Sequence, residues 1–105
     1  CRQVCPLCYC RVCVVDRSRP QTVPTSAHPV GVLEFHLTRA FHLAGRCVGC
    51  GACSDACPAG IDLELLNLSM ARATEQGFGV RPGLDPGAPP LWGTFAEDDE
   101  EAYIR

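Results

Sequence analysis

The sequence predicts a small, mainly α-helical domain with irregular Cys-rich loops and an extended Pro/Gly-rich tail. Three observations predict it. Nine cysteines in 105 residues approach the density at which cysteines, not an apolar core, hold a fold together. Two segments, 30–44 and about 62–76, carry apolar residues at helical spacing. The last 28 residues, 78–105, are broken by four prolines and four glycines and can form neither a helix nor a central strand.

Taken in order, residues 1–16 place cysteines at positions 1, 5, 8, 10 and 13, too crowded for regular structure, with Val12–Val15 the one candidate strand. Residues 17–29 (RSRPQTVPTSAHP) are a polar, Pro-punctuated connector. Residues 30–44 form a helix with Leu33, Leu37, Phe41 and Ala44 along one stripe, Pro29 in its first turn and Gly45 at its end. A second cysteine cluster, 47–58, leads into the next helix. Asp62 is its N-cap, Leu65, Leu66, Met70 and Ala73 its apolar face, and Gly77 its stop. In the tail, Phe78, Leu84, Leu91, Trp92 and Phe95 are too apolar for a solvated linker, so the segment is expected to lie extended over a surface. The domain organisation is a metal-binding domain, 1–77, followed by an acidic tail, 78–105.

Charge is unevenly placed. Residues 1–46 hold six arginines against Asp16 and Glu34, and residues 47–105 hold three arginines against ten acids. The basic half lacks the aromatic interleaving of a nucleic-acid surface, and no apolar run approaches the ~20 residues of a membrane helix. Neither a dinucleotide-binding nor a triphosphate-binding glycine motif occurs, and no Ser/His/Asp or Cys/His grouping reads as a nucleophile. An odd cysteine count at ligand-like spacings argues against a secreted disulfide scaffold and for a cytoplasmic setting.

The chemistry is carried by Cys47-Val-Gly-Cys50-Gly-Ala-Cys53-Ser-Asp-Ala-Cys57-Pro58. This C-x2-C-x2-C-x3-C-P run is the one that ligates cubane iron–sulfur clusters. Three cysteines two apart on a curling loop place three thiolates on three iron corners. Gly49, Gly51 and Ala52 let backbone N–H groups approach the sulfurs, which tunes the potential. The fourth cysteine of such a run ligates the other cluster in two-cluster proteins. A zinc site would instead ask for two pairs separated by a longer loop.

Cys1-Arg-Gln-Val-Cys5-Pro6 repeats the second half of that motif, C-x3-C-P. The chain therefore reads as a segment of something longer, with two further cysteines expected upstream. Under the crossing rule Cys47, Cys50 and Cys53 take Cys5 as fourth ligand, and Cys57 joins Cys1 and the upstream pair on a second cubane. Cys8, Cys10 and Cys13 have three open readings: replacement ligands of the second cluster, a compact zinc knuckle with Cys5, or buried thiols. Histidines 36 and 42 do not share a helical face and read as surface or packing residues. Arg39 and Arg46 are candidates for offsetting cluster charge. Tyr9 and Trp92 read as packing aromatics, and the acidic run 97–101 as a solubilising end.

The stretches CPLCYCRVCVVD, FHLTRAFHLAGRCVGCGACSDACPAGIDLELLN and FGVRPGLDP resemble the iron–sulfur part of electron-transfer subunits. These are the beta subunits of formate dehydrogenases and deazaflavin-dependent hydrogenases, and heterodisulfide-reductase-type complexes. The resemblance implies a relay of two [4Fe–4S] clusters passing single electrons between a catalytic flavin- or metal-containing oxidoreductase subunit and a redox partner protein. Its matching ligands are Cys47, Cys50, Cys53, Cys57, Cys1 and Cys5. Helices entering and leaving the motif, with about 40 residues between the two cysteine runs, favour the α-helical ferredoxin-like type over the βαβ one. The chain is expected to transfer electrons without being an enzyme on its own. The alternative is a structural zinc module that mediates complex assembly. With so little core at this size, folding is expected to depend on the metal.

Overall fold

A computed structural model describes residues 1–24, 26–93 and 97. Three helices organise it: α1 (Pro29–Ala44), the single turn α2 (Ala52–Asp55) and α3 (Leu63–Phe78). Short 3-10 turns cover Arg2–Val4, Val14–Asp16 and Leu91–Gly93. The mainly α class expected from the sequence is therefore the observed one. The candidate strand Val12–Val15 is not: its second half is a 3-10 turn in which Asp16 N–H donates to the Cys13 carbonyl at 2.9 Å.

Local chemistry explains the helix ends. Pro29 occupies the first turn of α1, where its missing N–H costs nothing, and His28 Nδ1 accepts from Val30 N–H at 3.3 Å. After Ala44 the Arg46 and Cys47 amides both return to the Leu43 carbonyl, which turns the chain into the cysteine loop. Asp62 caps α3, its carboxylate accepting from Leu65 N–H at 3.0 Å. The expected stop at Gly77 is corrected: the helix runs on to Phe78, and Gly79 ends it at φ +67°, the left-handed position that favours glycine.

α1 packs on α3, with α2 beside both α3 and the Arg2–Val4 turn. The faces in contact differ from the expected stripes. On α1 the buried side chains are Arg39, Ala40, Leu43 and Ala44, while Leu33, Leu37 and Phe41 are exposed. On α3 they are Leu63, Asn67, Ala71 and Thr74; Leu65, Leu66 and Ala73 face outward, and Met70 is half-buried. Each buried face is rotated from the expected stripe by about a quarter to a third of a turn. The alanines explain it, because small side chains let the two backbones approach where leucine and phenylalanine would hold them apart.

Val15 of the N-terminal segment and Val23 of the connector complete the core, and Pro24 rests on Gly31 of α1. The tail returns over the helix ends. Trp92 meets Phe78 edge-on at 5.9 Å, Leu91 and Trp92 close over Gly45, and Gly83 lies against Val48. Phe95 and residues 98–101 of the acidic run lie outside the described residues. No helix among the described residues is long and apolar enough to cross a membrane.

Candidate metal centre

The loop from Cys47 to Cys57 is shaped by glycines and by α3 beneath it. Gly49 and Gly51 both adopt left-handed backbone, φ +69° and +75°. A Cβ on Gly49 would lie 2.9 Å from Leu68 Cδ2, and one on Gly51 would lie 3.3 Å from a Glu64 carboxylate oxygen. Reading small residues here as room for N–H groups thus captures half of the reason. The loop must also curl, which left-handed glycine permits. Gly49 N–H donates to the Cys47 sulfur.

From that curl Cys47, Cys50 and Cys53 line one small apolar cavity, together with Cys5 from the N-terminal segment. Leu43, Glu64 and Asn67 close it from α1 and α3. Burial pushes the Cys47 thiol up. Its Gly49 hydrogen bond opposes the rise, and the neighbouring Cys53, Cys5 and Cys50 sulfurs add to it. A cluster entering here would displace that proton and pair the thiolate with iron.

Two residues, one in this wall and one in the loop behind it, were not legible as site residues. Asn67 is buried and donates from Nδ2 to Cys53 Sγ at 3.7 Å. Its signal is a polar amide at i+4 between Leu63 and Ala71 on the buried face of α3. Ser54, between two motif residues, accepts from Glu64 N–H at 2.8 Å and donates to Asp62 at 3.0 Å. The motif loop and the start of α3 are thereby one hydrogen-bonded unit.

The remaining cysteines lie apart from that cavity. Cys57, half-buried after α2, sits in the turn where its carbonyl accepts from Gly60 N–H. Cys1 borders a separate cleft with Arg2, Asp16 and Phe35. Cys8 faces Arg39 of α1, whose Nη1 is 4.0 Å from its sulfur. Cys13 receives a hydrogen bond from Arg2, whose charge is held chiefly by Asp16 at 2.7 Å, and Cys10 is exposed. Tyr9 lies under the Arg46 guanidinium at 5.0 Å, which fastens the N-terminal loop to the segment entering Cys47. His42 is exposed and His36 contacts Phe35.

The donor set fits an iron–sulfur cluster: four thiols round one cavity, an N–H and an amide already directed at two of the sulfurs, and loop glycines that leave no room for side chains. Among the described residues no three His, Cys, Asp or Glu side chains gather tightly enough for a single ion.

Residues 38–59 match the family described as "4Fe-4S binding domain". The chain is 34% identical over 92 residues to "F420-dependent formate dehydrogenase subunit beta" of Methanocaldococcus jannaschii, covering 88% of this chain and 24% of that protein. It is 38% identical over 93 residues to "F420-dependent formate dehydrogenase 1 subunit beta" of Methanococcus maripaludis, covering 89% of this chain and 23% of that protein. The chain thus spans about a quarter of the length of these curated relatives. No solved structure matches it. The chain thus carries a stretch, residues 38–59, that matches the 4Fe-4S binding domain, and it is similar along most of its length to a part of the beta subunits of F420-dependent formate dehydrogenases.

Proposed function

We propose that the chain is an electron-transfer module of a larger oxidoreductase of formate dehydrogenase or hydrogenase type, not an enzyme on its own. The observation that carries this reading is the meeting of Cys5 with Cys47, Cys50 and Cys53 at one cavity, across more than 40 residues of chain. These four would hold one [4Fe–4S] cluster. Cys57 and Cys1 would belong to a second, with ligands from Cys8, Cys10, Cys13 or an upstream segment. When bound, such clusters accept and return one electron at a time.

The residues present would do the rest. The Gly49 N–H and the Asn67 amide stabilise negative charge on the Cys47 and Cys53 sulfurs, which favours the reduced state. Leu43 and Leu68 limit water, and α3 holds the loop rigid through Ser54. Residues 1–77 would form the cluster-binding unit and 78–105 its tail, of which Leu91 and Trp92 close over Gly45. The partners would be a catalytic flavin- or metal-containing subunit and a redox partner protein, in the cytoplasm. The names of the two relatives support formate as the substrate of such a complex.

The test is iron and acid-labile sulfide per chain after anaerobic reconstitution, with EPR of the dithionite-reduced protein. About eight irons and a spin-coupled signal are expected for two [4Fe–4S] clusters, and about four with a simple rhombic signal would leave one. Colourless, redox-silent protein holding zinc would overturn the reading in favour of a structural module.

A further inference from the structure

Arg39 is out of place for a side chain that carries a fixed charge. It sits on α1, eight residues before Cys47, and only 7% of it is exposed. Its Nη1 lies 4.0 Å from Cys8 Sγ, its Nη2 is buried without a hydrogen-bond partner, and its Cζ is 6.0 Å from the centre of the Phe35 ring. Among the described residues the one ion pair is Arg2–Asp16, so no described carboxylate neutralises Arg39.

A guanidinium has five N–H donors and keeps its proton at any ordinary pH. Burying it is costly unless an anion meets it. A neutral Cys8 thiol is a weak acceptor and does not meet that need. A metal-bound thiolate does, because it carries negative charge and offers lone pairs to both Nη groups. The unpartnered Nη2 marks where the charge of that centre would be felt.

We propose that Cys8 is a ligand of the second cluster and that Arg39 is its buried counter-charge, a positioning residue that raises its reduction potential. The assignment rests on the electron-transfer reading above and narrows the three open readings of Cys8 to one. Reduction adds negative charge, so a desolvated cation beside a ligand sulfur favours the reduced state. It also gives Arg39 a reason to be buried that packing alone does not supply.

The experiment uses the full chain reconstituted anaerobically, as wild type, C8S, R39Q and R39K. Iron and sulfide are counted, and each EPR signal is followed in a redox titration. Wild type is expected to hold about eight irons and C8S about four, with the loss confined to one signal. R39Q is expected to keep the iron but to lower one midpoint and leave the other in place, and R39K to restore most of that shift. Wild type without iron would overturn the electron-transfer reading itself. Wild type that stops at about four irons, C8S that keeps the wild-type count, or R39Q with both midpoints unmoved would overturn this assignment alone. Should R39Q lose its helical circular dichroism, the C8S iron count decides.

Discussion

Gly49 and Gly77 are both glycines, yet substitution should move stability in opposite directions. Gly49 lies at φ +69° with Leu68 Cδ2 2.9 Å from where a Cβ would stand. G49A should cost about 1–2 kcal/mol for the left-handed backbone, plus the displacement of Leu68. Gly77 lies inside α3 with nothing within 4 Å of its Cβ position. G77A should therefore stabilise by roughly 0.5–1 kcal/mol. Denaturant unfolding of the two reconstituted variants checks the pair, and an equal effect in both would contradict it. At Asn67 the readout is electronic: N67D exchanges the amide facing Cys53 for a carboxylate, so the midpoint potential of the cluster at that cavity should fall. A redox titration in which it rises or stays put would show that the 3.7 Å contact does not tune the cluster. The cysteine spacing made the first of these residues legible, since a tight thiolate loop wants small residues. Asn67 was hidden because its meaning depends on which face of α3 turns inward.

At the scale of the element, the start of α3 is a junction. The Asp62 carboxyl is held below the ordinary aspartate value of 3.8, first by Leu65 N–H and then by the Ser54 hydroxyl. A carboxyl lowered by folding adds stability that is present above its unfolded value and lost as pH falls through its folded one. The far-UV circular dichroism of wild type should therefore weaken below about pH 4 more steeply than that of D62N, which keeps an acceptor oxygen without the charge. Coincident curves would assign the acid loss to other groups. S54A removes the acceptor of Glu64 N–H and should cost about 1 kcal/mol, with added loss of iron because Ser54 sits between motif residues; a variant with wild-type stability and iron content would unlink loop from helix. Pro29 and Asp62 were legible as helix starts because capping is chemistry between sequence neighbours. The buried faces were not. Leu33, Leu37 and Phe41 are the strongest apolar stripe of α1, yet they are exposed, while Ala40 and Ala44, and Ala71 on α3, are buried. Hydropathy weights large side chains, and close helix approach selects small ones.

For the whole molecule, the meeting of Cys5 with the 47–53 loop was foreseeable only through the ligand-crossing rule, since no local periodicity connects residues that far apart. That same meeting is expected to govern stability. The buried apolar side chains among the described residues are Val15, Val23, Ala40, Leu43, Ala44, Leu63 and Ala71, three of them alanines with little area to remove from water. Ordering each residue costs on the order of 1–2 kcal/mol in backbone entropy, and so few buried side chains cannot offset that sum. Iron–thiolate bonds between Cys5 and the 47–53 loop would tie the N-terminal segment to α1 and α3, making cluster binding and folding one equilibrium. Apo protein prepared under reducing conditions should therefore show far less helical circular dichroism than reconstituted protein and no cooperative melt. Removing iron with a chelator should abolish the melt of the reconstituted form. Apo protein with full helix content and a sharp transition would mean that the helices and the tail over Gly45 suffice, and that the clusters are passengers on a fold complete without them.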